Sequence, residues 1–309
     1  MNIVFFGTPE FAVPPLGTLL NSEHKVLAVI TQPDRPGGRG RHVSACPVKV
    51  EAGKAGLKIF QPLKVRDAGF IAELKRIAPD AIVVAAYGQI LPSAIIRLPE
   101  LGCINIHASL LPKYRGAAPI NWAIINGEKK TGITTMLMDE GMDTGAVLLQ
   151  EETEIAPDDT AGALSHRLSE TGASLLIRTL EGIENGSVRP VPQSDGATYA
   201  PLLKKTDGFI QWGKSASDVS NLIRGMNPWP GAYGFLEGER VNILKAEPVE
   251  GNGEPGIIYR VSKEELAAGT GKGLLSVLEI QPAGKPVMTI RAFLQGRRIK
   301  EGMRFITDV

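Results

Sequence analysis

The chain carries only two cysteines, Cys46 and Cys103. They lie far apart and in no metal-ligand spacing, which argues against a disulfide framework or a zinc site. The usage fits a reducing cytosol. Cys103 sits in an apolar run and is expected to be a buried small hydrophobe. No stretch reaches the ~20 apolar residues of a membrane span. The start, MNIVFFGTPEF, lacks the cationic segment that opens a secretory leader. There is no repeat or coiled-coil heptad, which leaves a scaffold little support. Nor does one sign of charge dominate: the formal net charge is +1. Bulk charge therefore neither requires nor excludes a nucleic-acid partner, and only local clusters bear on it.

What is present is globular composition, in a chain of 309 residues that is long enough for two domains. The apolar runs IVFFG (3–7), VLAVITQ (26–32), LKIFQ (57–61), AIVVAAY (81–87) and CINIHAS (103–109) are continuous rather than alternating. Such runs suit strands buried on both faces. Between two of them Phe70, Leu74 and Ile77 recur at helical spacing, with Pro79 as the stop. The alternation predicts an α/β fold built on a doubly wound, mostly parallel sheet. Gly7 closes the first run like a dinucleotide-binding turn. Thr-Pro-Glu-Phe then stands where further glycines are needed, which argues against a nicotinamide or flavin cofactor.

A long helix is expected from about Ala161 to Ile183, with apolar positions Leu164, Leu168, Leu175, Leu176, Leu180 and Ile183. Asp158, Asp159 or Thr160 would cap it. Residues 186–205 are rich in Pro, Gly and Ser without periodicity and read as a linker. Beyond them come a helical piece (217–224), the turn NPWPGAY (227–233) and the runs VNILKAE, GIIYRV, GLLSVLEI and VMTIRAFL, read as short strands of a smaller β-barrel. The expected division is a catalytic domain over 1–189, a linker over 190–206 and a C-terminal domain over 207–309.

A parallel sheet presents ligands to the carboxyl ends of its strands. Asn105, His107 and Ser109 alternate at such an end, so they share a face. Leu110, Leu111 and Pro112 follow as an apolar lip. Downstream, MDEGMDTGAVLLQ (138–150) carries Asp139, Glu140 and Asp143, spaced by Gly141 and Gly145. An Asn, a His and an Asp converging on one cleft suit acyl transfer: an amide donor steadies an oxyanion and a base takes a proton from an attacking amine. The choice of base between His107 and Asp143 stays open. Three basic clusters stand out: Arg35, Arg39 and Arg41; Lys204 and Lys205; and Arg297, Arg298, Lys300 and Arg304. A solvated surface is the plainer reading of any one of them. The first lies in a loop made pliable by Gly37, Gly38 and Gly40, a form that can order on RNA.

HASLLPKYRG with a downstream DEGMDTG resembles the folate-dependent formyltransferases. GTPEFAVPPL, TQPDRPGGRGR and RGMNPWPGAY extend the resemblance over nearly the whole chain, toward the branch of that family that formylates methionyl initiator tRNA. The resemblance implies 10-formyltetrahydrofolate as donor cosubstrate, in a reaction that requires no metal. With no membrane-length apolar run and a cysteine usage that fits a reducing cytosol, the enzyme is expected to be cytoplasmic, off the membrane and a monomer. It implies a catalytic trio of Asn105, His107 and Asp143, and a folate-binding segment of Ser109, Leu110, Leu111 and Pro112. It also implies that the Arg-rich loop of Arg35, Arg39 and Arg41 enters the tRNA acceptor arm, with an OB-like barrel as the C-terminal domain; the basic pair Lys204 and Lys205 is expected to meet the same tRNA. Family members acting on a nucleotide-linked amino sugar share the LLPKYRGAAPINW-type segment, but an Arg/Gly-rich loop is not expected in them. A binder of folate or tRNA without catalysis has no evident need for the complete trio.

Overall fold

Each of the five apolar runs holds a strand of one seven-stranded sheet. In the computed structural model, which describes residues 1–37 and 42–306, they are β1 (Asn2–Gly7), β2 (Lys25–Ile30), β3 (Ile59–Phe60), β4 (Ala81–Ala85) and β5 (Cys103–His107). Two further strands, β6 (Lys130–Leu137) and β7 (Val147–Glu154), complete the sheet in the order β7-β6-β5-β4-β1-β2-β3. The strands β1 to β5 pair in parallel. The strand β6 runs antiparallel to both β5 and β7. The mostly parallel sheet expected from the sequence is the one observed. Its two added strands carry no continuous apolar run. Along β7 burial falls off toward Glu154 and the Glu residues face water, as suits a charged sheet edge.

One face of the sheet buries Val4, Phe6, Ile30, Ile82, Val84 and Cys103 against Leu74, Leu91 and Ile95. The other receives the helix Ala161–Glu184, whose Leu168, Leu175, Leu176 and Leu180 are fully buried. Gly172 lets this helix approach closely, since a Cβ there would stand 2.9 Å from Ile106 Cγ2. Of the three candidate caps Thr160 serves, its Oγ1 accepting from Ala163 N at 3.2 Å. Strand order reverses between β1 and β4, and the crevice outside their carboxyl ends is where such sheets bind ligands.

The chain divides into two compact units. The first comprises residues 1–119, 130–154 and 165–200, and the second 120–129, 155–164 and everything from Pro201 onward. Residues 190–200 of the expected linker thus pack within the first unit. Val191 exchanges both backbone hydrogen bonds with Val147, and Tyr199–Ala200 pairs in parallel with Arg115–Gly116.

In the second unit β8 (Ala232–Leu236), β9 (Glu239–Val249), β10 (Ile258–Val261), β11 (Leu266–Gly269) and β12 (Leu274–Pro282) form an antiparallel sheet in the order β8-β9-β12-β11-β10. Residues 303–306 run between its outer strands. Ile306 N donates to Phe235 O and Ile258 N to Met303 O, each at 2.9 Å. The wrap is barrel-like, in keeping with the OB-like expectation, around a Trp212–Phe305 stack at 4.6 Å. The helical piece is Ala216–Gly225, opened by a reciprocal Ser215–Asp218 cap. VMTIRAFL, expected as a strand, is strand only at Met288–Thr289. Thr289 Oγ1 accepts from Ala292 N, and Ile290–Gln295 is helix. A cap residue at the middle of an apolar run overrode the strand pattern.

Candidate active site

At the end of β5 the alternation of the strand puts Asn105 and His107 on one face, beside Val84 of β4 and Thr134 of β6. His107 is 5% exposed, so both ring nitrogens need partners. Nε2 lies 3.0 Å from the Tyr114 carbonyl oxygen. A carbonyl only accepts, so Nε2 carries a proton. In the neutral ring Nδ1 is therefore the bare nitrogen, and it faces Asp143 Oδ2 at 3.6 Å. A proton arriving at Nδ1 meets a carboxylate ready to pair with it.

Asp143 is held by its loop. Its φ of 52° is left-handed, a conformation that costs a non-glycine residue of order 1–3 kcal/mol and persists where surroundings over-determine it. Here Gly116 N donates to Asp143 Oδ2 at 2.8 Å. Gln193 Nε2 donates to the carbonyls of Asp143 and Gly145, both at 2.8 Å. A Cβ on Gly145 would overlap the Leu137 carbonyl, so the loop closes only with glycine there. The three acids of this loop divide their tasks. Asp139 Oδ1 accepts from Gly141 N and Thr144 Oγ1 and shapes the turn. Glu140 pairs with Arg97 at 2.8 Å on the surface. Asp143 alone turns to His107.

Asn105 is half-buried, and among the described residues its amide makes no hydrogen bond. An amide at a strand end, free of protein partners beside an imidazole, is a donor available to a bound group.

The segment after His107 is a buttress as well as a lip. Ser109 is fully buried, and its Oγ donates to Lys113 O at 2.6 Å. Thr134 Oγ1 donates to Ser109 O and accepts from Leu111 N. Gln150 Nε2 donates to Leu111 O at 2.9 Å. Leu111 is 5% exposed, while Leu110 and Pro112 are partly open. Tyr114, at φ 60°, donates its N–H to Thr198 Oγ1 at 2.8 Å, and Arg115 N, on the same peptide as the carbonyl that holds His107, donates to Thr198 O at 2.8 Å. Sequence reasoning missed Tyr114, Thr134, Gln150, Gln193 and Thr198. Tyr114, Gln150, Gln193 and Thr198 lie in segments read as turn, acidic loop or linker, and the stretch around Thr134 carried no assignment.

Of the basic residues, Arg39 and Arg41 lie outside the described residues. Arg35 is exposed, opens a two-stranded ribbon with Ser44 opposite, and has no ion pair among the described residues. Just before it, Asp34 pairs with Lys49 and accepts from Gln61 Nε2 at 2.9 Å. The Lys49 ammonium holds the Asp34 carboxyl below its usual range, so the base of the loop is anchored by charge. Lys204 and Lys205 are exposed and likewise without ion pairs among the described residues. In the last cluster Arg297 pairs with Glu239 at 2.5 Å and Arg304 with Glu254 at 3.6 Å, which neutralises half of it.

The family model described as "Formyl transferase" matches residues 1–180, and "Formyl transferase, C-terminal domain" matches residues 202–298. The chain is 54% identical over 302 residues to the methionyl-tRNA formyltransferase of Thermodesulfovibrio yellowstonii, covering 98% of each chain. It is similar in fold to the methionyl-tRNA formyltransferase from Clostridium thermocellum, with a TM-score of 0.57, 16% identity, and 91% of this chain and 98% of that one covered. It is also similar in fold to HypX from Aquifex aeolicus in complex with tetrahydrofolic acid, with a TM-score of 0.66, 19% identity, and 95% of this chain and 46% of that one covered.

Proposed function

The chain belongs to the formyl transferase family in both of its halves, and from that premise we propose that Asn105, His107 and Asp143 transfer a formyl group from 10-formyltetrahydrofolate to the α-amino group of methionyl initiator tRNA. Formylation of that amine supports translation initiation. The observation that carries the site assignment is the placing of His107 between the Tyr114 carbonyl and the Asp143 carboxylate, with the Asn105 amide free beside it.

The attacking amine must be neutral, and a terminal α-amine titrates near about 7.7–8.0. Its nitrogen bonds to the formyl carbon, and the carbonyl oxygen becomes an oxyanion. Asn105 donates to that oxygen. The proton shed by the amine passes to the His107–Asp143 pair. Nε2 is committed to Tyr114, so Nδ1 is the ring atom that gains it, and Asp143 balances the imidazolium. Breakage of the bond to N10, with N10 taking up a proton, releases tetrahydrofolate and the formamide. In this reading Ser109, Leu110, Leu111 and Pro112 wall the folate side, with Ser109 and Leu111 acting from behind the surface. Arg35, Arg39, Arg41, Lys204 and Lys205 meet the tRNA backbone.

The same reading takes the enzyme as a cytoplasmic monomer. Free Cys46 and Cys103 suit a reducing compartment, and sedimentation at working concentration tests the monomer. Among the described residues no helix is long and apolar enough to cross a membrane.

The test of the acceptor is a formyl transfer assay with 10-formyltetrahydrofolate. Methionyl initiator tRNA is the expected acceptor, with uncharged tRNA and an amino-sugar nucleotide as comparisons. Transfer to the sugar nucleotide alone would retain the site and overturn the acceptor.

A further inference from the structure

Gln193 lies in the stretch whose composition reads as a linker, yet its amide is fully used inside the first unit. Nε2 gives one N–H to the Asp143 carbonyl and the other to the Gly145 carbonyl, both at 2.8 Å. Oε1 accepts from Arg115 Nη2 at 2.7 Å and from Arg115 Nε at 3.1 Å. Two donors and two lone pairs are the whole capacity of a Gln side chain. It therefore ties two segments together: the loop that bears Asp143, and the Arg115–Gly116 turn whose Gly116 N–H holds the Asp143 carboxylate at 2.8 Å.

Asp143 has reason to need such a tie. Its left-handed φ is disfavoured for a residue with a Cβ, and a relaxed loop would turn the carboxylate away from Gly116 and from His107 Nδ1. Gly145 cannot supply the restraint by itself, because it makes the close approach to Leu137 possible without fixing where Asp143 points. The hydrogen bond from Gln193 acts on the peptide of Asp143 itself. The rest of the 191–200 strap is independently anchored by the Val191–Val147 pair, by Arg115 N on Thr198 O, and by the Tyr199–Ala200 pairing, so it does not depend on Gln193 to stay in place.

We infer that Gln193 is a positioning residue for the transfer reaction: it fixes the backbone of Asp143 so that the carboxylate faces Nδ1 of His107. This rests on the assignment of Asp143 and His107 to the reaction. Gln193 touches no substrate in this account, so its loss lowers turnover without weakening either substrate.

The test compares Gln193→Ala, Gln193→Glu, Asp143→Asn and the Gln193→Ala/Asp143→Asn double variant in the full-length enzyme, with 10-formyltetrahydrofolate and methionyl initiator tRNA. Gln193→Ala is expected to lower kcat roughly 10- to 100-fold, the scale of a misplacement of about 1 Å, with KM for both substrates within about threefold. Gln193→Glu keeps an acceptor for Arg115 but turns oxygen toward two carbonyls, and it is expected to be as impaired as the alanine variant. The double variant is expected to be no slower than Asp143→Asn, because Gln193 acts only through Asp143. Hydrogen exchange of the Gly116 amide is expected to quicken in Gln193→Ala by more than the fall in global stability accounts for. Wild-type kcat in Gln193→Ala, or restored kcat in Gln193→Glu, overturns the positioning role while a slow Asp143→Asn leaves the site assignment standing. Wild-type turnover in Asp143→Asn overturns the site assignment and this inference with it.

Discussion

Nδ1 of His107 faces Oδ2 of Asp143 at 3.6 Å while Nε2 of the same ring is held 3.0 Å from the Tyr114 carbonyl. The imidazole is thereby given a fixed tautomer and one open nitrogen. Asp143→Asn keeps an oxygen for Gly116 N–H and the backbone tie to Gln193, but removes the negative charge that an imidazolium needs. It is expected to lower kcat by on the order of 10²–10⁴, the range of a positioned acid–base group, with Tm near that of the wild type. Single-turnover kinetics at saturating tRNA check this. A rate within twofold of the wild type would remove the charge at Asp143 from the mechanism.

Asn105 differs from its neighbours in having no hydrogen-bond partner among the described residues, although the strand end holds it firmly between β4 and β6. In the proposed mechanism this free donor meets the developing oxyanion, so it contributes to the rate rather than to the fold. Asn105→Ala is expected to lower kcat by about 10²–10³, with stability and tRNA affinity little changed. Turnover and filter-binding measurements on the same preparation separate the two effects.

The strand-end pair was legible because its environment is periodic. Ile104 and Ile106 alternate with Asn105 and His107, so the polar pair falls on one face of the strand. The parallel half of the sheet was legible for a different reason, through continuous apolar runs that suit strands buried on both faces. The strands β6 and β7 were not: β6 is an inner strand whose buried positions are largely Thr and Gly, and the charged edge strand β7, with its QEETE, carries no core signal. Gln193 and Thr198 were invisible because the stretch around them pairs through backbone and amide groups, whose hydrogen bonds leave no hydrophobic period. VMTIRAFL misled because the cap at Thr289 outweighs β-branched residues beside it. The tautomer of His107 depends on a carbonyl seven residues away and needed the turn itself to be seen.

Exposed cations without partners are the ones a polyanion can recruit. Arg35, Lys204 and Lys205 are of this kind among the described residues, whereas Arg297 and Arg304 already face Glu239 and Glu254. Replacing Arg35, or the pair Lys204 and Lys205, by Ala is expected to weaken binding of methionyl initiator tRNA and leave folate binding intact. Removing one cation from a phosphate is expected to flatten the dependence of log K on log salt by about 0.7–0.9. Arg297→Ala is expected to change the slope less. Titrations across a several-fold range of salt concentration read this directly. An Arg35→Ala or Lys204→Ala/Lys205→Ala slope equal to that of the wild type would take those side chains off the tRNA surface.

Tyr87 sits under the crevice between β1 and β4, 2% exposed and edge-on to Phe6 at 5.1 Å, with its hydroxyl buried and without a partner among the described residues. Burial pushes its phenol from 10.0 up to about 12. The unfolded chain thus releases this proton near pH 10 while the native protein keeps it. Between those values the native state binds more protons, so stability falls as pH rises through the window. Tyr87→Phe removes both the stranded hydroxyl and this contribution. It is expected to stabilise the protein by roughly 1 kcal/mol at about pH 8, where a buried unsatisfied polar group is relieved. The gain is expected to widen from pH 10.0 toward about 12, because only the wild type loses stability there through Tyr87. Urea denaturation of both proteins at about pH 8, 10 and 11 measures the difference, in which titrations common to the two cancel. A gap that is constant with pH would mean that the phenol titrates alike in the folded and unfolded chains. A less stable Tyr87→Phe at the lowest of these pH values would mean that the hydroxyl contributes a hydrogen bond to the fold.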